Sequence, residues 1–171
     1  YDVVRLVYHA YPKSLEEVDY IGRTALHISI RSHSPINVVN FLIRRYPNAL
    51  KNVDKIGNTP FSVACEHGAF PPTLRLLYES WPFCIHAADF EGWSPLHKAC
   101  KRGRHITVKF LLHVGAYTDT LTHTGIKPFN AIGDPRHHIP GAKELNDGII
   151  KITTMLSGLK KIWRLRNHDY F

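Results

Sequence analysis

The chain has 171 residues, 44% of them apolar and 21% charged, which suits one domain or a short solenoid and argues against disorder. Its formal charge of +8, from 22 Lys and Arg against 14 Asp and Glu, admits nucleic acid or an anionic membrane as partner, or simply a solvated basic face. No apolar run approaches the roughly 20 residues that span a bilayer, and Cys65, Cys84 and Cys100 lack disulfide-framework or metal-type spacing, which points to a reducing compartment, cytoplasmic or nuclear.

Taken in chain order, the sequence opens at Tyr1 rather than Met, so a piece of a longer protein is expected. Val3, Val4, Leu6 and Val7 precede Tyr11, Pro12 and Leu15, the second half of a unit whose full form follows. Gly22, Gly57, Gly92 and Gly125 then recur at spacings of 35, 35 and 33 residues, a period that signals a repeat architecture. Around each of the first three, Asp19, Asp54 or Asp89 begins a tight turn, Gly supplying the special backbone angle and Asp a side-chain acceptor. Thr59 and Ser94 read as helix N-caps, and Pro60 and Pro95 fit the first helical position. A short helix follows, from Phe61 to about Glu66 in one copy, and Gly68 or Gly103 supplies a left-handed stop. His33 holds the equivalent place in the first copy. The second helix of each unit shows helical apolar spacing, as in Val108, Leu111 and Leu112.

The organisation expected is an array over residues 1–144. It comprises a half repeat 1–18, repeats 19–53, 54–88 and 89–121, and a degenerate repeat 122–144, followed by a capping helix and tail at 145–171. Two short helices cannot bury an apolar face alone, so units must stack. Leu26, Phe61, Leu96 and Phe129 are expected in one buried row, and Leu42, Leu77 and Leu112 in another. The stretches Tyr46 to Leu50 and Trp81 to Ile85 are expected to be longer, aromatic-anchored loops. In the last segment Leu145, Ile149, Ile152, Leu156, Leu159 and Trp163 recur at threes and fours, with Lys151, Lys160, Lys161, Arg164 and Arg166 off the stripe or at its end. That pattern fits one amphipathic helix closing the stack; a basic helix for a membrane or a partner groove is the alternative.

These residues resemble the ankyrin repeat. The third unit is closest, with Asp89, Gly92, Ser94, Pro95, Leu96, His97, Ala99 and Gly103, then Leu111, Leu112, Gly115 and Ala116. The resemblance covers roughly residues 1–131; the fourth copy has lost its Asp, cap and His. It implies an all-α solenoid of stacked helix–turn–helix units with short turn or β-hairpin fingers, closed by the C-terminal amphipathic helix. It also implies that His27 and His97 bond neighbouring loop backbone.

The search for chemistry is short. Phosphate loops, His-Glu zinc motifs and nucleophile elbows are missing from the sequence, and no metal or other cofactor is expected. His137 and His138 beside His123 are at most an adventitious metal site. An enzyme is not expected. Ankyrin proteins usually bind other proteins through turn tips and the concave side of the first helices. Carried over, the tip positions are Tyr20, Ile21, Arg23, Lys55, Ile56, Asn58, Phe90, Glu91 and Trp93. The helix positions are Arg31, Ser32, Glu66, His67, Lys101 and Arg102. Phe90, Trp93, Tyr20 and Arg102 head that set, because aromatics and Arg dominate interface energetics; packing of Phe90 and Trp93 on an adjacent turn is the competing reading. The function expected is a non-catalytic scaffold or adaptor, a monomeric part of a longer chain. The alternatives are a basic-surface binder of nucleic acid or anionic membrane, using Lys101, Arg102, Arg104 and the final helix, and a substrate-recruiting arm of a larger enzyme.

Overall fold

A computed structural model of the chain describes residues 2–132 together with Lys151, Thr154 and Gly158. The repeating element is built at the turn. Asp19 Oδ1 accepts the backbone N–H groups of Ile21 and Arg23 at 3.1 and 2.9 Å. Asp54 does the same for Ile56 and Asn58 at 3.1 and 2.8 Å, and Asp89 for Glu91 and Trp93 at 3.0 and 2.9 Å. In the fourth copy Thr122 stands in, its Oγ1 accepting from Ile126 N at 3.1 Å. The chain reverses at Gly22, Gly57, Gly92 and Gly125, with φ of 81, 90, 83 and 77°, a region costly for any residue with a Cβ. Among the described residues the expected hairpin is reduced to one isolated bridge, Val18 to Thr24; the fingers are tight turns.

Each turn delivers the chain into a helix pair. The helices are α1 (Asp2–Ala10), α2 (Ala25–Arg31), α3 (Ile36–Arg45), α4 (Pro60–His67), α5 (Pro71–Ser80), α6 (Pro95–Lys101) and α7 (His105–His113). Thr59 Oγ1 caps α4 by accepting Ser62 N at 3.2 Å, and Ser94 Oγ caps α6 by accepting His97 N at 3.4 Å. The first helix of each pair stops at a left-handed residue, His33, Gly68 or Gly103. The second helix ends before Tyr11, Tyr46 or Trp81, and Pro12, Pro47 or Pro82 then opens a 3₁₀ turn, Pro12–Leu15, Pro47–Leu50 or Pro82–His86. The expected loops are therefore ordered turns. Proline suits their first position, where no intrahelical donor is needed, and Leu15, Leu50 and Ile85 tuck into the core from them.

The core runs unbroken along the stack, from Leu15 to Ala116. Leu26, Phe61 and Leu96 form the expected row, each 1% exposed, and Leu42 and Leu77 are buried beside it. Two expectations need correction: Phe129 and Leu112 are only half-buried, though both pack on the core. The described part of the fourth unit supplies a turn and a 3₁₀ segment, Pro128–Ala131, but no helix pair to cover them. The apolar stripe of the expected amphipathic helix and residues 133–144 of the degenerate repeat lie outside the described residues; Lys151, Thr154 and Gly158 are helical and exposed. No described helix is long and apolar enough to cross a membrane.

The tightest point of the stack is Gly57. A Cβ there would sit 2.6 Å from Phe90 N and 2.9 Å from the Phe90 ring, whereas a Cβ on Gly125 meets nothing within 4 Å. Gly125→Ala is expected to cost about 1–2 kcal/mol from backbone strain alone. Gly57→Ala adds an overpacking cost of about 1–3 kcal/mol. Urea unfolding of both variants measures the difference, and equal losses would show that the close approach carries no energy.

Candidate functional site

The turn tips form a hydrogen-bonded column. Lys55 N donates to Ile21 O at 2.9 Å, Phe90 N to Ile56 O at 3.2 Å, and His123 N to Glu91 O at 2.9 Å. The ladder fixes the tip backbones. Tyr20, Ile56 and Phe90 are 82, 62 and 63% exposed, so fold stability does not account for their size. Lys55 and Glu91 are exposed as well, while Ile21 is half-buried. Arg23 is half-buried and committed locally, its Nη2 lying 2.6 Å from Asp19 Oδ2.

Phe90 serves both readings, since its ring lies on Gly57 of the preceding turn yet leaves most of its surface open. Trp93 packs within its own unit. Its ring meets His97 edge-on at 5.8 Å, and Lys101 Nζ sits 4.4 Å above its centroid. Asn58 is a correction. It is 4% exposed, its Nδ2 donates to Asp54 Oδ2 at 3.0 Å and its Oδ1 accepts from Lys98 Nζ, so it braces the turn from inside and presents nothing to a partner.

The C-terminal ends of the first helices make a second feature. Arg31 is exposed; Glu66, His67, Lys101 and Arg102 are half-buried; Arg104 is exposed. Arg102 donates through Nε and Nη2 to Glu66 Oε1 at 3.0 and 2.6 Å, and Arg104 Nε donates to the Glu66 backbone oxygen at 3.2 Å. Burial raises the Glu66 carboxyl, but the hydrogen bond and charge of Arg102 outweigh it, helped by Lys98 and His67, and hold it below the ordinary range. Burial pushes the His67 imidazole down; Glu66 opposes this, while Arg31, Arg102 and Arg104 add to it.

Behind the tips, two histidines tie units together. His27 Nδ1 accepts from Thr24 N at 3.2 Å, and its Nε2 lies 2.9 Å from Asn58 O in the next unit. His97 repeats this with Ser94 N at 3.2 Å and Ile126 O at 2.9 Å. An Nδ1 that accepts from a backbone N–H must be unprotonated, so Nε2 carries the hydrogen and donates to the carbonyl. Burial lowers both rings below the usual value of 6.5, only partly offset by the Nε2 bonds and nearby carboxylates.

The second unit has Ser62 where a ring would stand, and its Oγ turns back to Thr59 O at 3.0 Å. The next unit compensates. Lys98, 6% exposed, reaches Asp89 Oδ2 at 2.6 Å and donates to Asn58 Oδ1. Sequence reasoning missed this network because a Lys on a short helix reads as surface. The signal available was register: one and two periods earlier the position holds Val63 and Ile28.

Burial raises the thiols of Cys84 and Cys100 to about 12, and that of Cys65 well above its usual value, as fits packed, unreactive side chains. Among the described residues no group of three or more His, Cys, Asp or Glu is placed to hold a metal; His137 and His138 lie outside them.

A family model described as ankyrin repeats (3 copies) matches residues 36–122, about half of the chain. The stacked Asp–Gly turns, capped first helices and bridging histidines agree with it, and the chain belongs to the ankyrin-repeat family. Ankyrin repeats are generally protein-interaction modules. No curated protein matches the chain.

Two predictions follow the buried network. Because the folded-state pKa values of His27 and His97 are lowered, the unfolded chain binds protons first as pH falls. Their contribution is whole above about pH 6.5 and is lost below it, by up to about 1.4 kcal/mol per pH unit for each ring. Urea unfolding of the wild type and of His27→Gln/His97→Gln from pH 8 to 5 should show a shallower acid loss in the variant; equal slopes would remove the rings from the account. Lys98→Met is expected to destabilise by about 3–5 kcal/mol, because the buried Asp89 carboxylate loses its counter-charge and Asn58 Oδ1 loses a charged donor. Lys98→Met/Asp89→Asn should recover part of that loss in the same assay.

Proposed function

We propose that this chain is a non-catalytic scaffold or adaptor that binds a partner protein through its turn tips and the exposed ends of its first helices. The observation that carries this reading is the column of Tyr20, Ile56 and Phe90. Tyr20 and Phe90 hold the same place in their turns, directly after the Asp, and Ile56 stands one place further on in the turn between them; all three are exposed on backbones locked from behind. Turn chemistry alone favours small polar residues there. A rigid platform also loses little conformational entropy on binding, which strengthens association without extra contacts. Lys55, Glu91, Arg23 and Ile21 border the column, and Arg31, His67, Lys101, Arg102 and Trp93 extend the surface along the helix ends. In this reading residues 1–144 are the binding array, 145–171 close it, and the chain works inside the cell, where its three thiols stay reduced.

The test is partner capture from lysate by the wild type and by Tyr20→Ser/Ile56→Ser, at low and high salt. Both side chains are exposed, so the variant is expected to unfold as the wild type does. Specific partners should persist at high salt and bind the variant at least about tenfold more weakly, as for interface residues worth over 1 kcal/mol. Capture that consists of nucleic acid, vanishes with salt and ignores the substitutions would overturn the assignment.

A further inference from the structure

Along the helix ends, cations outnumber carboxylates, and those of the third unit are held in place. In successive units Arg31, Glu66 and Lys101 occupy one position, 35 residues apart. Arg102 and Arg104 join them from the third unit. Glu66 is the carboxylate of this ridge, and Arg102 engages it directly. Among the described residues Arg31 and Arg104 form no ion pair with a carboxylate. Arg104 is nevertheless fixed: its Nε is bonded to Glu66 O, and its Cδ lies where a Cβ on Gly68 would be 2.9 Å away. Lys101 is seated over the Trp93 ring at 4.4 Å. Arg31 and Lys101 hold the place of Glu66 in the units on either side of it, which sets these charges along one row of the stack. This is a net positive surface on which Lys101, Arg102 and Arg104 have already lost much of their freedom, the condition under which charge complementarity gains most.

From the arrangement of Arg31, Glu66, Lys101, Arg102 and Arg104 we infer that the helix-end ridge takes an acidic, extended segment of the partner protein. The inference rests on the protein-binding reading above and names the chemistry of the partner. Geometry sets a spacing. Neighbouring packed helices lie about 8–10 Å apart, and an extended chain advances about 3.3 Å per residue. Three residues therefore step one unit. Carboxylates about six residues apart would meet Arg31 at one end and Lys101 at the other, with an uncharged residue opposite Glu66, which Arg102 and Arg104 already engage. A nucleic acid backbone is less suited, because its evenly spaced phosphates would place one charge against that carboxylate.

The experiment is fluorescence anisotropy on the full chain with three labelled probes. One is a Ser/Gly peptide bearing paired glutamates about six residues apart, to match that stride. The second replaces every glutamate by glutamine, and the third is a single-stranded oligonucleotide of the same charge. Arg31→Glu and Arg104→Glu remove ridge cations, while Lys13→Glu, on the turn after α1, changes net charge equally elsewhere. The acidic peptide should bind at least about tenfold tighter than its glutamine counterpart, and each ridge variant should weaken it about fivefold or more, with Lys13→Glu changing it less than about twofold. Thermal unfolding confirms that each variant is folded, and Arg31, whose side chain makes no ion pair among the described residues, gives the cleanest comparison. Equal binding of the first two probes, or an equal effect of Lys13→Glu, would overturn the inference. An oligonucleotide that outcompetes the peptide with a steep salt dependence would give the ridge to nucleic acid instead. Failure of the peptide while captured partners still depend on Tyr20 and Ile56 sinks the acidic partner alone. Peptide binding without that tip dependence sinks the tip surface alone.

Discussion

A helix pair of two or three turns cannot bury an apolar stripe by itself, so each unit of this chain is stable only as far as the next one is docked in register. Docking is decided at the turns. The tip ladder from Ile21 to Lys55, Ile56 to Phe90 and Glu91 to His123 aligns successive backbones, and only then do Leu26, Phe61 and Leu96 fall into one row. The Asp side chain that organises each turn, the glycine that reverses it and the cap that starts the helix serve that alignment. Loss of register at any junction would expose the core on both sides of it.

The junctions are not alike. His27 and His97 use one imidazole to satisfy two buried groups, a backbone N–H in their own unit and a carbonyl in the next. Between the second and third units that ring is missing, and a lysine from the far side takes over the connection through Asn58. The exchange has physical consequences. A neutral ring bridges without desolvating a charge, whereas Lys98 and Asp89 must both be taken out of water and are tolerated only as a pair. The middle junction is thus the one whose stability depends most on a single ionic contact. Gly57 and Phe90 meet at the same junction, so its packing is also the least forgiving.

Function follows from what this scaffold leaves over. The buried side of each turn is saturated by Asp, cap hydroxyl, imidazole or lysine. The outward side carries Tyr20, Ile56 and Phe90, which the fold does not require. The helix ends carry a cationic ridge held by Glu66, Gly68 and Trp93. Family membership assigns the general task of binding protein, while the particular partner must be read from such surfaces, since one repeat architecture serves many ends.

Much was legible in the sequence because repeat proteins write short-range chemistry at a fixed period. Asp19, Asp54 and Asp89, the turn glycines, the Thr and Ser caps and the prolines after them act within four or five residues, so local rules place them without tertiary information. The roles of His27 and His97 were legible only through resemblance to the family, since each ring bonds a residue about 30 positions away. Tertiary structure alone decided the rest. It buried Asn58 and Lys98, which composition assigns to the surface, because a partner for each lies one unit away. It seated Lys101 on Trp93 and Arg102 on Glu66, contacts that span helix and turn or two units. It left Phe129 and Leu112 half-open, because burial in a solenoid depends on the neighbour that stacks above and not on the residue itself.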